Sequence, residues 1–234
     1  MEPRKALLLV GSPKPGRSSS LALGEHLIDD LAKRGWSTET ITLRRVMNDP
    51  GRLRTAVQGA EVVVLAYPLY VFGLPAPVVL ALEQLVDARP GGDLVARRDD
   101  AGGAEETAAP RLVAIANCGF PEHDHNDLSL EMCRLFAAQA GFRWSGGLSL
   151  GGGGMLDGKP LRERGPFARS ARRALELTAA ALDAGHDVPA EAVRLMARPM
   201  VSPRVYRWMG NYGWRRAARA NGISDKLAER PPQV

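Results

Sequence analysis

Residues 5–20, KALLLVGSPKPGRSSS, restrict what this chain can fold into more than any other stretch. The apolar run over 6–10 is short, continuous and closed by Gly11, as expected of a central parallel strand covered on both faces. Ser18, Ser19 and Ser20 then offer N-caps to the helical periodicity that starts at Leu21. A strand–loop–helix unit of this kind aims free backbone N–H groups at the space above the strand's C-terminal end, where the helix dipole favours an anion. With Ser12, the loop brings four hydroxyls. It reads either as a small phosphate pocket or as a Ser-rich turn that caps a helix. It is not a Walker A loop, because no Gly-Lys-Ser/Thr closes it, and with only Gly11 and Gly16 it is not Gly-x-Gly-x-x-Gly. Hydroxyls in this number suit a terminal monophosphate.

The next segments repeat the alternation. Residues 37–43 alternate Thr and Ile with polar partners and predict a second strand, a short helix falls near 53–58, and 61–66, EVVVLA, is another buried β-branched run. Strand, helix, strand, helix and strand within the first 66 residues predict a doubly wound α/β sheet. The third strand runs into YPLYVFGLPAP at 67–77. Pro68 ends its ladder, and Pro75 and Pro77 prepare a helix over 78–86. Between them Leu69, Tyr70, Val71 and Phe72 are too apolar for an ordinary surface turn. A flat ring system or a neighbouring subunit would cover them. Residues 88–110, rich in Gly, Pro, Ala and charge, read as a mobile insertion, either a tolerated surface segment or a functional lid. A fourth strand over 111–116 ends in Asn117, Cys118, Gly119 and Phe120. A helix over 128–140 follows, with Asn126 or Asp127 as its natural N-cap. A fifth strand over 143–150 meets four consecutive glycines, which allow close backbone approach, and a last sheet-covering helix spans 167–184.

These loops carry a resemblance. The run GSPKPGRSSS is similar to the phosphate loop of the flavodoxin-like NAD(P)H-dependent FMN reductases, in which Gly-Ser-Pro-Arg is followed by small and hydroxyl residues. PLYVFGLPA over 68–76 matches that family's P-x-Y-x-x-G-x-P-A, and NCGFPE from Asn117 resembles its third loop. The likeness covers residues 5–184 and departs at Arg17, in the 88–110 insertion and in the tail. It implies a flavodoxin-like doubly wound five-stranded parallel sheet, order 2-1-3-4-5, with a helical C-terminal extension. FMN would sit at the switch point between strands 1 and 3. The implied cofactor contacts come from Ser12, Lys14, Arg17, Ser18, Ser19 and Ser20, from Pro68, Leu69, Tyr70, Val71, Phe72 and Gly73, and from Asn117, Cys118, Gly119 and Phe120. Backbone N–H groups of residues 69–73 would meet the isoalloxazine and ribityl chain, and the third loop would border the pyrimidine side. The implied activity passes hydride from NADPH or NADH through FMN to a small acceptor such as a quinone, flavin or nitro compound. No protein residue is then catalytic. A homodimer or homotetramer is the implied assembly. An FMN electron carrier without nucleotide turnover, or a non-catalytic module of the same fold, are the alternatives.

Cys118 has no partner at C-x-x-C spacing and reads as a buried, inert thiol. With Cys133 as the only other cysteine there is no disulfide framework and no thiolate cluster, which points to the cytoplasm. His123 and His125 stand among acids without a third ligand nearby, so a His at the flavin edge is a better reading than a metal site. The N-terminal apolar segment is too short for a signal peptide, and no apolar run approaches the roughly 20 residues of a membrane span. Residues 189–234 hold nine Lys/Arg and three Asp/Glu, a net +6, which leaves residues 1–188 at −1. The chain therefore divides into a flavodoxin-like part, 1–187, and a basic helical extension, 188–234. Within 203–220, Val205, Trp208, Met209 and Tyr212 follow helical spacing, with Arg204, Arg207, Asn211 and Arg215 on another face. Such an arm packs on its own domain or a second subunit; weak contact with an anionic membrane is the sharper alternative. No nucleic-acid motif accompanies the charge.

Overall fold

Five strands alternate with helices along the chain and pair into one all-parallel sheet, as the alternation predicts. They are β1 (Lys5–Val10), β2 (Ser37–Thr42), β3 (Val62–Pro68), β4 (Arg111–Asn117) and β5 (Arg143–Leu150), in the order β2-β1-β3-β4-β5. The computed structural model describes residues 3–87 and 109–229; apart from Ala109 and Pro110, the expected insertion lies outside the described residues. The central strands are apolar without alternation because both faces are covered. Ala6, Leu8 and Val10 of β1 face one side with Val62, Val64 and Ala66 of β3, while Leu7, Leu9, Val63 and Leu65 face the other. β2 and β5 are the edge strands, and β2, with only Ile41 buried, is the more exposed of the two.

The first face is closed by α1 (Ser19–Ala32) through Leu23, Leu27 and Leu31, and by α6 (Arg169–Asp183) through Leu175, Ala179 and Leu182. The second is closed by a one-turn helix α2 (Leu43–Val46) and by α3 (Pro50–Gln58), α4 (Ala76–Asp87) and α5 (Asp127–Gln139). α7 (Ala190–Met196) follows α6, with Ala192 and Met196 fully buried in the first core. Its seven residues carry too few apolar positions for their period to show in the sequence.

The chain forms two compact units, Met1–Met200 and Val201–Val234. In the second, α8 (Pro203–Ala220) matches the helix expected from sequence. Ser202 caps it by accepting a hydrogen bond from the Val205 N–H, and Pro203 occupies its first turn. A 3-10 turn over Ser224–Ala228 follows, and the Ile223 N–H returns to the Ala218 carbonyl, burying Ala218. Among the described residues no helix is long and apolar enough to cross a membrane.

Candidate functional site

The strand order reverses direction between β1 and β3: β1 leads outward to β2, and β3 leads the opposite way to β4. Crossovers departing to opposite faces leave a crevice above the C-terminal ends of these strands. The loops after β1, β3 and β4, the three singled out from sequence, converge on it.

The first loop ends in a capped helix. Ser18 accepts a hydrogen bond from the Leu21 N–H at 3.1 Å, so the N–H groups of Ser19 and Ser20, which have no acceptor within α1, are left for a group outside the helix. Ser12, Ser18 and Ser20 are buried, and the Ser12 hydroxyl accepts weakly from the Lys14 N–H at 3.4 Å. Ser19 donates its hydroxyl to the Gly153 carbonyl at 2.7 Å, which ties the loop to the segment after β5. Lys14 and Arg17 are exposed at the mouth.

Asn117, at the end of β4, is 5% exposed, and its amide nitrogen donates to Ser20 Oγ at 2.8 Å and to the Tyr67 carbonyl at 2.9 Å. One side chain thus fastens the first loop to the second. A Cβ at Gly153 would stand 2.6 Å from Asn117 Oδ1, so that glycine run lets backbone close on the amide, as four consecutive glycines suggest. Cys118 is buried with its thiol near the Phe120 and Glu122 carbonyls, at 3.4 and 3.3 Å; burial pushes its pKa up, the opposite of an activated thiolate.

A cavity of about 270 Å³ lies among these loops. It is lined by Ser12, Lys14, Arg17, Ser18, Ser19 and Ser20, by Pro68, Leu69 and Tyr70, and by Asn117, Cys118 and Gly119. Three further lining residues come from the segment after β5: Gly154 ends the run of four glycines expected to allow close approach of backbone or ligand, while Asp157 and Gly158 were not foreseen. The Asp-Gly pair is a turn signal that could have marked them. Gly158 has φ +62° and lies where a Cβ would be 2.9 Å from the Arg17 backbone, so it closes the wall on the first loop as only glycine can. Two cationic side chains against one carboxylate make the lining electropositive.

The remaining expected residues form a rim instead of a lining. Val71 and Phe72 are the central residues of a tight turn with φ +49° and +57°, closed by hydrogen bonds between Tyr70 and Gly73 in both directions. That turn takes up the N–H groups of Tyr70 and Gly73, and Leu69 donates to the Asn117 carbonyl at 2.8 Å. Of the five N–H groups expected to meet a ligand, only those of Val71 and Phe72 stay outside these bonds. Phe72 stacks on Phe120 with centroids 6.1 Å apart, and His125 meets both rings, at 5.4 and 4.7 Å. His125 therefore belongs to an aromatic rim. Among the described residues no group of three His, Cys, Asp or Glu could hold a metal ion. Asn126 occupies the N-cap position of α5 but does not cap it; its amide donates to Ser149 Oγ and the Leu150 carbonyl, because a 3-10 turn over His123–Asn126 runs straight into the helix.

Several solved structures share this fold. An FMN-dependent NADH-azoreductase from Bacillus anthracis in complex with FMN is 14% identical, with 77% of this chain and 100% of that one covered and a TM-score of 0.53. An NAD(P)H:quinone oxidoreductase from Methanothermobacter marburgensis is 17% identical over 74% of this chain and 96% of that one, with a TM-score of 0.52. RosB, with bound 8-demethyl-8-formylriboflavin-5'-phosphate, is 12% identical over 99% of this chain and 90% of that one, with a TM-score of 0.58. The chain has the flavodoxin-like fold. No protein-family model matches the sequence, and no curated protein does. In this fold the cavity occupies the switch point, between a hydroxyl-rich helix start and an aromatic turn.

Proposed function

We propose that the protein is an FMN-dependent oxidoreductase that passes hydride from NADH or NADPH to a small acceptor such as a quinone, flavin or nitro compound. The observation that carries this reading is the junction, at the switch point, of two unpaired helix-start N–H groups and buried serines with an aromatic rim. The donor set fits a phosphomonoester: the Ser19 and Ser20 N–H groups and the Ser12 and Ser18 hydroxyls would hold it, with Lys14 and Arg17 adding charge at the mouth. A cavity of about 270 Å³ suits a phosphate and its polyol chain, which leaves the ring system to the rim of Tyr70, Phe72, Phe120 and His125. FMN, when bound, supplies the two-electron chemistry, so the protein needs no acid or base of its own. Its side chains bind, orient and exclude water.

A second copy of the chain would cover the exposed Tyr70, Val71, Phe72 and Phe120 in a homodimer or homotetramer. Two free thiols, Cys118 and Cys133, suit a reducing cytoplasm. A second reading, that the flavin phosphate is itself the molecule altered, is favoured by one observation: the RosB match extends over 99% of the chain, extension included.

Titration should give one FMN per chain and riboflavin binding at least about thirtyfold weaker, since leaving two or more buried donors unpaired costs about 1–3 kcal/mol each. Equal affinities would remove the phosphate assignment. Ser19→Glu should weaken FMN binding by placing a carboxylate against the phosphate. NADH or NADPH should bleach bound FMN without air, and a quinone should restore the colour. Bleaching by dithionite but by neither nucleotide would leave an electron carrier. Mass spectrometry of the recovered flavin separates the second reading, which requires its mass to change.

A further inference from the structure

The unit Val201–Val234 carries the whole net charge of the protein. It holds seven Lys/Arg and two Asp/Glu, a net +5, whereas residues 1–200 hold 24 of each sign. α8 has five arginines and no acid in 18 residues. Along it Val205, Trp208, Met209 and Tyr212 recur at the spacing of one helical face. All four are exposed, Trp208 by 68% and Tyr212 by 59%, and their rings stack with centroids 5.9 Å apart. Arg204, Arg207 and Arg215 fall on the neighbouring face with Trp214, while Arg216 and Arg219 stand at the end of the apolar stripe, where long stems can lean sideways from it.

We propose that α8 docks in the interfacial plane of an anionic lipid bilayer. Two independent features select this occupant. The stripe pairs tryptophan and tyrosine with a methionine and a valine, side chains with an apolar body and, for the aromatics, a polar edge that settles at headgroup depth. The flanking charge is of one sign, and each arginine near an anionic surface strengthens binding about fivefold. A second copy of the chain offers no such complement. Its first unit is neutral overall, and its own α8 is equally positive, so two stripes meeting face to face would bring ten arginines together. At 18 residues, with five charges, α8 lies on a membrane and does not cross it.

The test is co-sedimentation of the full-length protein with vesicles of phosphatidylcholine alone and of phosphatidylcholine mixed with phosphatidylglycerol. Binding should be confined to the anionic vesicles and fall at least about tenfold at about 0.5 M salt, where screening shortens the range of the charges to a few ångströms. Trp208→Ser with Tyr212→Ser, and separately Arg204→Gln with Arg207→Gln and Arg215→Gln, should each weaken it about tenfold or more. Because these side chains are exposed, both variants should melt like the intact protein. Failure to bind anionic vesicles at low salt, equal binding to both vesicle types, or undiminished binding by either variant would overturn the proposal. Dissociation of an oligomer by the Trp208→Ser, Tyr212→Ser pair would overturn it in favour of a second copy, and preferential capture of an RNA homopolymer in favour of nucleic acid.

Discussion

Asn117 shows how much of the site hangs on one amide. It spends both its hydrogens inside the protein, on Ser20 Oγ at the start of α1 and on the Tyr67 carbonyl at the end of β3. Its part is therefore to hold the cavity's walls in register, and a ligand gains from it indirectly. Asn117→Ala leaves a buried carbonyl and a buried hydroxyl without their donor, which costs about 2 kcal/mol. In a chain of this size that lowers the melting temperature by about 4–8 °C, and FMN affinity should fall with it. A variant that melts with the wild type would show that the staple is idle. Tyr67 is a second case of a polar group turned to structure. Its hydroxyl, held in its neutral form by burial well above the ordinary range, hydrogen-bonds Ser129 and Cys133 beneath the sheet.

At the turn between β3 and α4 the sequence disagrees with the backbone. Two-residue turns with positive φ at both centres favour Asn-Gly, because a β-branched side chain crowds the left-handed conformation. Here Val71 and Phe72 occupy them, and Val71 is 97% exposed, with no packing of its own to offset the strain. Phe72 recovers some of it by stacking against Phe120 and His125. Strain of about 1–3 kcal/mol at such positions tends to be kept where a ligand is bound. Val71→Asn should therefore raise the melting temperature by about 2–4 °C, the equivalent of about 1 kcal/mol. A lower melting temperature in a thermal scan would rule the strain out.

Across the whole first unit, the two ends of the sheet divide the work. The C-terminal ends of the strands hold the cavity; the N-terminal ends hold a charge cluster. Arg4 pairs with both oxygens of Glu61 at 2.7 and 2.8 Å and stacks over Trp36 at 4.0 Å, while the buried Arg111 reaches Glu61 and the Leu182 carbonyl in the last turn of α6. The hydrogen bond from Arg4 holds the Glu61 carboxyl below the ordinary value of 4.5. A depressed carboxylate stabilises the fold above its unfolded pKa, and that stability disappears as pH falls through the lower folded value. Glu61 is about two-fifths exposed, so solvent screening limits the effect to about 1 kcal/mol. Glu61→Gln should thus melt below the wild type at neutral pH, with the gap closing below about pH 4.5. A gap that persists into acid would mean that the pair contributes shape and not charge.

What the chain determined by itself is what acts over a few residues. Continuous β-branched runs marked the central strands, and Ser18, Gly11 and Pro68 marked where elements start and stop. The right-handed crossover rule then placed the loops after β1, β3 and β4 on one edge. Twelve of the sixteen site residues expected from sequence do line the cavity, and the other four form or adjoin its rim. The tertiary structure alone decided which groups meet across long separations. Gly154, Asp157 and Gly158 join the lining because Ser19 reaches Gly153 across 134 positions, and Asn117 finds Ser20 across 97. It also decided that Leu69, Tyr70 and Gly73 spend their N–H groups within the protein. Local propensity carries no information about such meetings, since they depend on the register and packing of whole layers around a common core.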